Sequence, residues 1–400
     1  MKIALFLGSG VSKETGLPMS DGITKSLLYD DWHNYTGSIY MPGPPPDVTF
    51  RMRNCVPLIQ KYLRFLKDYS DRYYTQWNRS EANYEDLFFL TKQVQDEGIE
   101  TENPAIASFY NEIKKELDFW CKGKTQQQIN IKRISFDACN FIQNVIHSKL
   151  YTSIEPKGMQ LISDLVDLSV NYKISSLDIF TLNHDLLIEK LLTKNKIWFK
   201  DGFERSENPI RYFKRNWRLD TPERVRLIKL HGSINWFRIK QYEDNLWNEN
   251  IWDKDVFHTD KYCSYRNIDQ IEFRRHLPNN ETSHLIPELI TGTDNKHLSY
   301  TFGLISEMHR RFHDSLKSTK KIIMSGYGWN DRGINARLRE WIHSSRSNQL
   351  YLLHKDPDRI RDYSKLGRSH FDRLKEYNKL VIVRKYLKDA TLLDIRECIE

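Results

Sequence analysis

Residues 2–18 read KIALFLGSGVSKETGLP, an apolar run that ends abruptly in a glycine-containing turn. Continuous apolar runs of this length are typical of strands that are buried on both faces of a sheet. Gly8 and Gly10 permit tight backbone geometry and the close approach of a phosphate group. Hydroxyl groups that can donate to phosphate or ribose oxygens follow at Ser9, Ser12 and Thr15. The stretch therefore predicts a strand followed by a nucleotide-binding turn.

The composition is that of an ordinary globular protein. The chain has 400 residues, of which 39% are hydrophobic and 12% aromatic, enough to bury a substantial core. Its 61 basic and 53 acidic residues give a net charge of +8, which suits an anionic ligand. A basic cluster at 205–229 also contains aromatic residues. We interpret it as a charged connection or an oligomer contact, and direct binding of nucleic acid is not expected.

The first apolar run is too short for a signal peptide, and no run approaches the roughly 20 apolar residues that span a membrane. The 5 cysteines are scattered, without a CxxC pair or a short Cys/His spacing. We therefore expect a cytoplasmic protein that does not bind membranes and has neither a disulfide framework nor a structural zinc site.

Further apolar runs with strand character recur along the chain. They lie at 3–7, 177–182, 225–230, 284–289, 321–325, 350–353 and 380–383. Helical patterns such as 186–193 and 334–343 alternate with several of these runs, which favours a parallel α/β sheet. We predict a single domain, 1–400, in which 1–30 and 171–400 form the core.

The segment 31–170 has a different pattern and is predicted to be a large helical insertion. Helical periodicity is found at 55–74, 84–95, 105–120, 134–149 and 159–169. PGPPP at 42–46 cannot lie inside a helix or a central strand, so it marks an exposed loop. A smaller insertion, rich in Trp, Asn and Asp, is predicted at 238–284.

Polar or glycine-containing segments follow three more of the predicted strands. They are FTLNHD at 180–185, KLHGS at 229–233 and SGYGWND at 325–331. Parallel strands end at one edge of a sheet, where α/β proteins bind ligands, so these segments should meet the Gly8 turn there. The candidate catalytic residues are Asn183 and His231. The further candidate ligand contacts are Asp185, Gly326, Tyr327, Gly328 and Asp356.

Together these motifs resemble those of the sirtuin family. GSGVS at 8–12 with GLP at 16–18 resembles the sirtuin GAGxS and GIP, and TLNHD at 181–185 resembles TQNxD. LHG at 230–232 matches the LHG that carries the sirtuin histidine. The resemblance implies a sirtuin-like, Rossmann-like parallel sheet that binds NAD.

The sequence also departs from the sirtuin deacylases. It has no paired-cysteine zinc module, and MSD follows GLP where deacylases usually have Phe-Arg. An acyl-lysine substrate is therefore disfavoured. NYEDL at 83–87, LIP at 285–287 and the 325–335 segment instead resemble the prokaryotic SIR2-like effectors of antiphage defence. Members of that branch hydrolyse NAD, often as assemblies, and some act with a HerA-type ATPase.

Cleavage of the nicotinamide–ribose bond suits these residue types. It expels a neutral leaving group through a transition state with oxocarbenium character, so the site must hold the sugar and direct one nucleophile. Asn183 can hydrogen-bond a ribose hydroxyl or a water, and His231 can accept a proton from either. Asp185 is expected to orient the Asn183 segment, and His184 is expected to point away from Asn183.

The predicted function is an NAD glycohydrolase that releases nicotinamide and ADP-ribose, with NAD as substrate and no zinc. The enzymatic alternatives are an NAD-dependent deacylase and an ADP-ribosyl transferase, and the non-enzymatic alternative is a nucleotide-sensing assembly subunit. The resemblance further implies a homo-oligomer, with a HerA-type ATPase as a candidate partner. Two site assignments stay open: residues 326–328 form a tight turn or a backbone cradle, and Asp356 is a ribose contact or a helix cap.

Overall fold

The computed structural model describes residues 2–36, 39–76, 81–95, 104–121, 131–151, 155–204, 210–214, 217, 223–240, 256–259, 282–289 and 303–399. The strands of this part of the chain are β1 (Lys2–Leu7), β2 (Trp32–Thr36), β3 (Ile39–Pro42), β4 (Ser176–Thr181), β5 (Ile210–Tyr212), β6 (Val225–Lys229), β7 (Gly232–Lys240), β8 (Val256–Thr259), β9 (Thr282–Leu289), β10 (Lys321–Ser325), β11 (Gln349–Leu353) and β12 (Leu380–Val383).

The α-helices of the same residues are α1 (Ser9–Glu14), α2 (Ser20–Tyr29), α3 (Val48–Arg53), α4 (Val56–Gln76), α5 (Tyr84–Gln95), α6 (Pro104–Cys121), α7 (Ile131–Leu150), α8 (Gln160–Val170), α9 (Leu187–Lys194), α10 (Gly303–Ser318), α11 (Arg332–Ser344), α12 (Pro357–Tyr363), α13 (Arg368–Glu376) and α14 (Arg396–Ile399). Among these helices, none is both long and apolar enough to cross a membrane.

The central sheet has six parallel strands in the order β12-β11-β10-β1-β4-β6. Counted along the chain within this sheet alone, the order is 3-2-1-4-5-6, which is the Rossmann arrangement. The predicted fold class, a Rossmann-like parallel α/β sheet, is therefore confirmed. The strand order reverses between β1 and β10, so the ends of these two strands and of β4 lie where such sheets form a ligand crevice.

The central sheet is buried on both faces, which explains its continuous apolar strands. In β1, Ala4 and Phe6 pack into one core and Ile3, Leu5 and Leu7 pack into another, because successive side chains point to opposite faces. Helices α10, α11 and α13 cover the first face. Helices α8 and α9 and the C-terminal residues 387–399 cover the second face.

A buried carboxylate joins four elements near the amino ends of the strands. Asp178 on β4 is fully buried and forms ion pairs with Arg226 on β6 and with Lys2 on β1, the latter at 3.0 Å. It also accepts a hydrogen bond from the hydroxyl of Ser315 on α10. The negative charge is thus compensated within the protein, as a buried carboxylate requires.

The segment between α2 and β4 is mainly helical, and all five helices predicted there are present. A third core unites α2, α4, α5, α6 and α7 with residues of β3, β7 and β9. The segment opens with an antiparallel hairpin, β2–β3, which the helical prediction did not include. Pro42 ends β3 and residues 43–47 form no helix or strand, so the predicted loop at 42–46 is confirmed apart from its first residue. The insertion boundaries, 31–170 and 238–284, stay predictions.

The predicted strand at 284–289 exists, but its assignment to the parallel sheet is wrong. β9 pairs antiparallel with β7 in a separate four-stranded sheet, β5-β8-β7-β9. A short apolar run indicates burial but does not say which strand it pairs with. Only the ends of the 238–284 insertion and the strand β8 within it are described, and its Trp-rich remainder lies outside the described residues.

Candidate active site

Two glycine turns touch each other where the strand order reverses. The backbone N–H of Gly8 donates to the carbonyl of Ser325 and that of Gly10 donates to the carbonyl of Gly326, both at 3.0 Å. A Cβ atom on Gly10 would lie 2.7 Å from the Cα of Gly326. Glycine is required here because two backbones meet, a reason that the sequence analysis did not find. The contribution of Gly8 and Gly10 to ligand binding stays a prediction.

Asn183 lies after β4 and is held against the turn after β1. Its Nδ2 donates to the carbonyl of Gly8 at 3.1 Å and to the Oγ of Ser12 at 2.8 Å. A carbonyl oxygen only accepts hydrogen bonds, so the amide orientation is determined. The other amide atom, Oδ1, is buried and has no hydrogen-bond partner among the described residues. The site therefore contains a fixed acceptor to which no side chain or backbone group of the described residues donates.

Ser12 and Asp185 continue this network away from Asn183. The Ser12 hydroxyl donates to Asp185 Oδ2 at 2.5 Å, and Asp185 Oδ1 accepts from the backbone N–H of Leu187 at 3.1 Å. Thr15 donates its hydroxyl to the carbonyl of Ser12. These three predicted ligand contacts thus bond within the protein and support Asn183. Ser9 is exposed at the start of α1, and contact of any of the four with a ligand stays a prediction.

A buried lysine fixes the Asp185 segment from the side of β6. The Nζ of Lys229 donates to the backbone carbonyl of Asp185 at 2.5 Å and forms a 2.8 Å ion pair with Glu189 on α9. Burial raises the pKa of Glu189, and the positive charge of Lys229 opposes that shift. The segment that carries Asn183 is therefore bound to α1 through Ser12 and to β6 through Lys229.

His231 lies in the short turn between β6 and β7. Gly232 follows it with φ +84°, and a Cβ atom there would lie 2.1 Å from the carbonyl oxygen of Glu288, so the turn needs glycine. The Nε2 of His231 lies 3.0 Å from Oδ2 of Asp331, and both side chains are buried. Oδ1 of Asp331 accepts from the N–H of Ile334 at 3.0 Å and caps α11.

Sequence reasoning missed Asp331 as the partner of His231. A signal for its other role was present, because an Asp that precedes a helical pattern is typical of an N-cap. Nothing in the local sequence relates it to a histidine 100 residues earlier.

Two further histidines surround His231. The Nε2 of His309 on α10 lies 3.0 Å from the carbonyl of Leu230, and burial, with His231 nearby, lowers the pKa of His309 to about 3. His309 is therefore neutral near pH 7 and donates to that carbonyl. The ring of His184 is centred 6.3 Å from that of His231. Asn183 thus contacts the β1 turn while His184 faces the β6 turn.

The candidate ligand contacts after β10 and β11 do not all lie close to Asn183 and His231. Tyr327 is buried, donates its hydroxyl to Asn335 Oδ1 at 2.7 Å and packs against Phe6, and burial raises its pKa. Gly328 is exposed. Asp356 is an exposed N-cap of α12, two strands from β1, and makes no side-chain capping bond. Ligand contact by these residues, and by Gly326, stays a prediction.

The NYEDL segment forms the N-terminal cap of α5. Asp86 is buried and accepts from the backbone N–H of Asn83 at 3.0 Å and from the hydroxyl of Tyr74 at 3.1 Å. Asn83 Oδ1 accepts in turn from the N–H of Glu85 at 2.8 Å. This reciprocal arrangement satisfies backbone donors that the first helical turn leaves open.

The described members of the basic cluster bond within the chain. Arg211 pairs with Asp201 at 2.8 Å, Lys214 lies 3.8 Å from Glu204, and Arg224 donates to two backbone carbonyls. These contacts fit the interpretation as a charged connection. The other arginines at 205, 215 and 218 lie outside the described residues.

In the described ranges, no group of three His, Cys, Asp or Glu side chains is placed to hold a metal ion.

Residues 178–382, just over half of the chain, match the model of the SIR2-like domain family. The chain therefore belongs to the SIR2-like domain family. Comparison with curated protein sequences gave no match.

Similar solved structures include a Sir2 homologue–NAD complex, with 12% identity, a TM-score of 0.38 and coverage of 100% of this chain and 91% of that chain. Another is Sir2Tm bound to a propionylated peptide, with 10% identity, a TM-score of 0.37 and coverage of 99% and 92%. The family assignment rests on the domain match, because these structures are too distant to carry an argument.

Proposed function

We propose that this SIR2-like protein is an NAD glycohydrolase, which cleaves NAD to nicotinamide and ADP-ribose. The observation that carries the proposal is the amide of Asn183. Its Nδ2 is held by Gly8 and Ser12, and its buried Oδ1 has no partner among the described residues.

An unsatisfied buried acceptor costs on the order of 1–3 kcal/mol. A ligand hydroxyl that donates to Asn183 Oδ1 recovers that cost, so the site favours a ligand that brings an O–H group to this position. A ribose hydroxyl or an attacking water meets the requirement. Because the amide is already fixed, little ordering remains to be done when the ligand binds.

The reaction needs a nucleophile and a proton acceptor. The water oxygen forms a bond to the ribose C1′ while the bond from C1′ to the nicotinamide nitrogen breaks, and the bonding electron pair leaves with neutral nicotinamide. The water proton passes to His231, which releases it to solvent. Asn183 positions the sugar or the water, and its interactions favour turnover to the extent that they strengthen in the oxocarbenium-like transition state.

The test follows nicotinamide release from NAD by the purified full-length chain. Asn183→Ala and His231→Ala should each lower turnover by about 100-fold or more. The matched controls are Asn195→Ala and His343→Ala, at exposed positions, which should retain wild-type turnover. Equal turnover of wild type and Asn183→Ala would contradict the proposal. Cleavage that occurs only with an acyl-lysine peptide would favour the deacylase alternative.

We further propose that the protein acts in the cytoplasm as a homo-oligomeric effector of antiphage defence, with a HerA-type ATPase as a candidate partner. The support is the resemblance of NYEDL, LIP and the 325–335 segment to that branch of the family. Phage plating on cells that carry the wild-type chain or Asn183→Ala tests the defence role. A monomer at micromolar concentration, with and without the ATPase, would contradict the assembly.

A further inference from the structure

We propose that Asp331 is a positioning residue of the NAD-cleaving site, which holds the ring proton of His231 on Nε2 and so makes Nδ1 the atom that accepts a proton. The inference rests on the proposed function. Its basis is the 3.0 Å contact between His231 Nε2 and Asp331 Oδ2, two groups whose side chains are each only 6% exposed.

The chemistry of the pair determines which nitrogen carries the proton. An ionised carboxylate only accepts hydrogen bonds, so the nitrogen that faces it must be the donor. In a neutral imidazole the other nitrogen then carries the lone pair. Nδ1 is therefore the basic atom of His231. The carboxylate also stabilises the imidazolium that forms when Nδ1 takes a proton, as the Asp does in serine-protease triads.

Asp331 itself is fixed from both sides. Its second oxygen accepts from the N–H of Ile334 at 3.0 Å, at the first turn of α11. The start of that helix is anchored further by Asn335, whose Nδ2 donates to the carbonyl of Trp329 at 2.8 Å. A carboxylate held in this way sets the direction of the imidazole ring as well as its tautomer.

The two buried carboxylates of the site have separate tasks. Asp185 accepts from Ser12 and from the backbone N–H of Leu187, and so holds the segment after β4 that carries Asn183. Asp331 contacts the imidazole of His231 in the turn between β6 and β7. His309, next to His231, donates its Nε2 proton to Leu230 and is neutral near pH 7, so it brings no competing positive charge to Asp331.

The variant Asp331→Asn separates this role from helix capping. An amide has one oxygen, and the N–H of Ile334 requires it, so the amide nitrogen turns toward His231 Nε2. Because the amide nitrogen donates, His231 Nε2 must then accept a hydrogen bond. The ring proton therefore moves to Nδ1, which is no longer basic. The cap is retained. Asp331→Ser is the second variant: its hydroxyl can cap Ile334 but is too short to reach the imidazole.

The experiment combines turnover with ¹⁵N spectra of the histidine side chains in the full chain, with His231 assigned from His231→Gln. We expect the Nε2–H tautomer in wild type and the Nδ1–H tautomer in Asp331→Asn. The kcat should fall by about 100-fold or more in both Asp331 variants, with KM changed by less than about threefold. The control, Asp394→Asn, alters a capping carboxylate that bonds Thr391 and Lys385, and should keep the wild-type kcat.

The outcomes distinguish this inference from the proposed function. If wild type cleaves NAD and both Asp331 variants cleave it equally fast, or if His231 keeps its Nε2 proton in Asp331→Asn, the inference is overturned while the proposed function stands. If the tautomer switches as expected but wild type releases no nicotinamide with or without partners, Asp331 is supported as the group that fixes the ring and the proposed function fails.

Discussion

Ser12 shows how single residues hold the proposed site in place. Its hydroxyl accepts from Asn183 at 2.8 Å and donates to Asp185 at 2.5 Å, so one oxygen links helix α1 to the segment after β4. The sequence predicted a contact with phosphate or ribose oxygens, because a hydroxyl after a glycine turn is common in nucleotide sites. The structure gives it two protein partners, and its effect on activity should pass through Asn183.

Ser12→Ala should therefore lower NAD turnover through its effect on Asn183. The change leaves the amide of Asn183 and the carboxylate of Asp185 each without one buried partner, at a cost of about 1–3 kcal/mol. We expect turnover to fall by about tenfold or more as the amide loses its fixed direction. Steady-state kinetics and a thermal melt measure both effects. Ser369→Ala, at an exposed position on α13, is the control.

His309 should make stability depend on pH. Its pKa is about 3 in the folded chain, below the ordinary value of 6.5, so the unfolded chain binds the proton more tightly. The stabilisation is complete above about pH 6.5 and is lost as the pH falls toward 3, by at most about 1.4 kcal/mol per pH unit. In His309→Gln the fall in melting temperature across this window should be shallower. His343→Gln, at an exposed site, should retain the wild-type slope.

At the scale of elements, the contact between the β1 and β10 turns decides how the site is assembled. Gly326 has φ +69°, and a Cβ atom on it would lie 2.5 Å from the backbone nitrogen of Val11. The glycines of the two turns therefore allow the start of α1, the helix that carries Ser12, to lie directly against the segment that leads to Asp331. The Ser12–Asn183 contact and the Asp331–His231 contact both depend on this backbone contact.

Gly10→Ala and Gly328→Ala should consequently have different effects. The added methyl of Gly10→Ala meets backbone atoms of Gly326 at 2.7 Å and 3.1 Å, which cannot move aside as a flexible side chain can. We expect a loss of about 2 kcal/mol or more in the free energy of unfolding, measured by denaturant titration. The methyl of Gly328→Ala lies 3.4 Å from a side-chain amide, and stability should change by less than about 1 kcal/mol. Equal losses would contradict the contact.

At the scale of the whole molecule, Asp178 on β4 ties strands β1, β4 and β6 to one another and to helix α10. It bonds Lys2 on β1, Arg226 on β6 and Ser315 on α10. Asp178→Asn leaves the buried guanidinium of Arg226 without its counter-charge, and should cost about 3–5 kcal/mol in unfolding free energy. Turnover per folded molecule should hardly change, because Asp178 lies toward the amino ends of the strands. Glu155→Gln, at an exposed pair with Lys194, is the matched control and should leave the melting curve unchanged.

Much of the whole fold is readable from local patterns. All seven predicted strands are present, because a strand buried on both faces must be apolar throughout its length, whatever it pairs with. The helices of the 31–170 segment are equally visible from their periodicity. The pairing of β9 and the hairpin β2–β3 were not, because a run of apolar residues does not specify its neighbour in a sheet.

The sequence by itself determined the α/β class, the order of the glycine turns and the candidates Asn183 and His231, because each follows from a short segment. Only the tertiary structure decided that Ser12 bonds Asn183 and Asp185, that the β1 and β10 turns meet, and that Asp331 faces His231. Each of these contacts joins residues at least 100 positions apart in the chain. Local propensity carries no information about such pairs, and the packing of the sheet creates them.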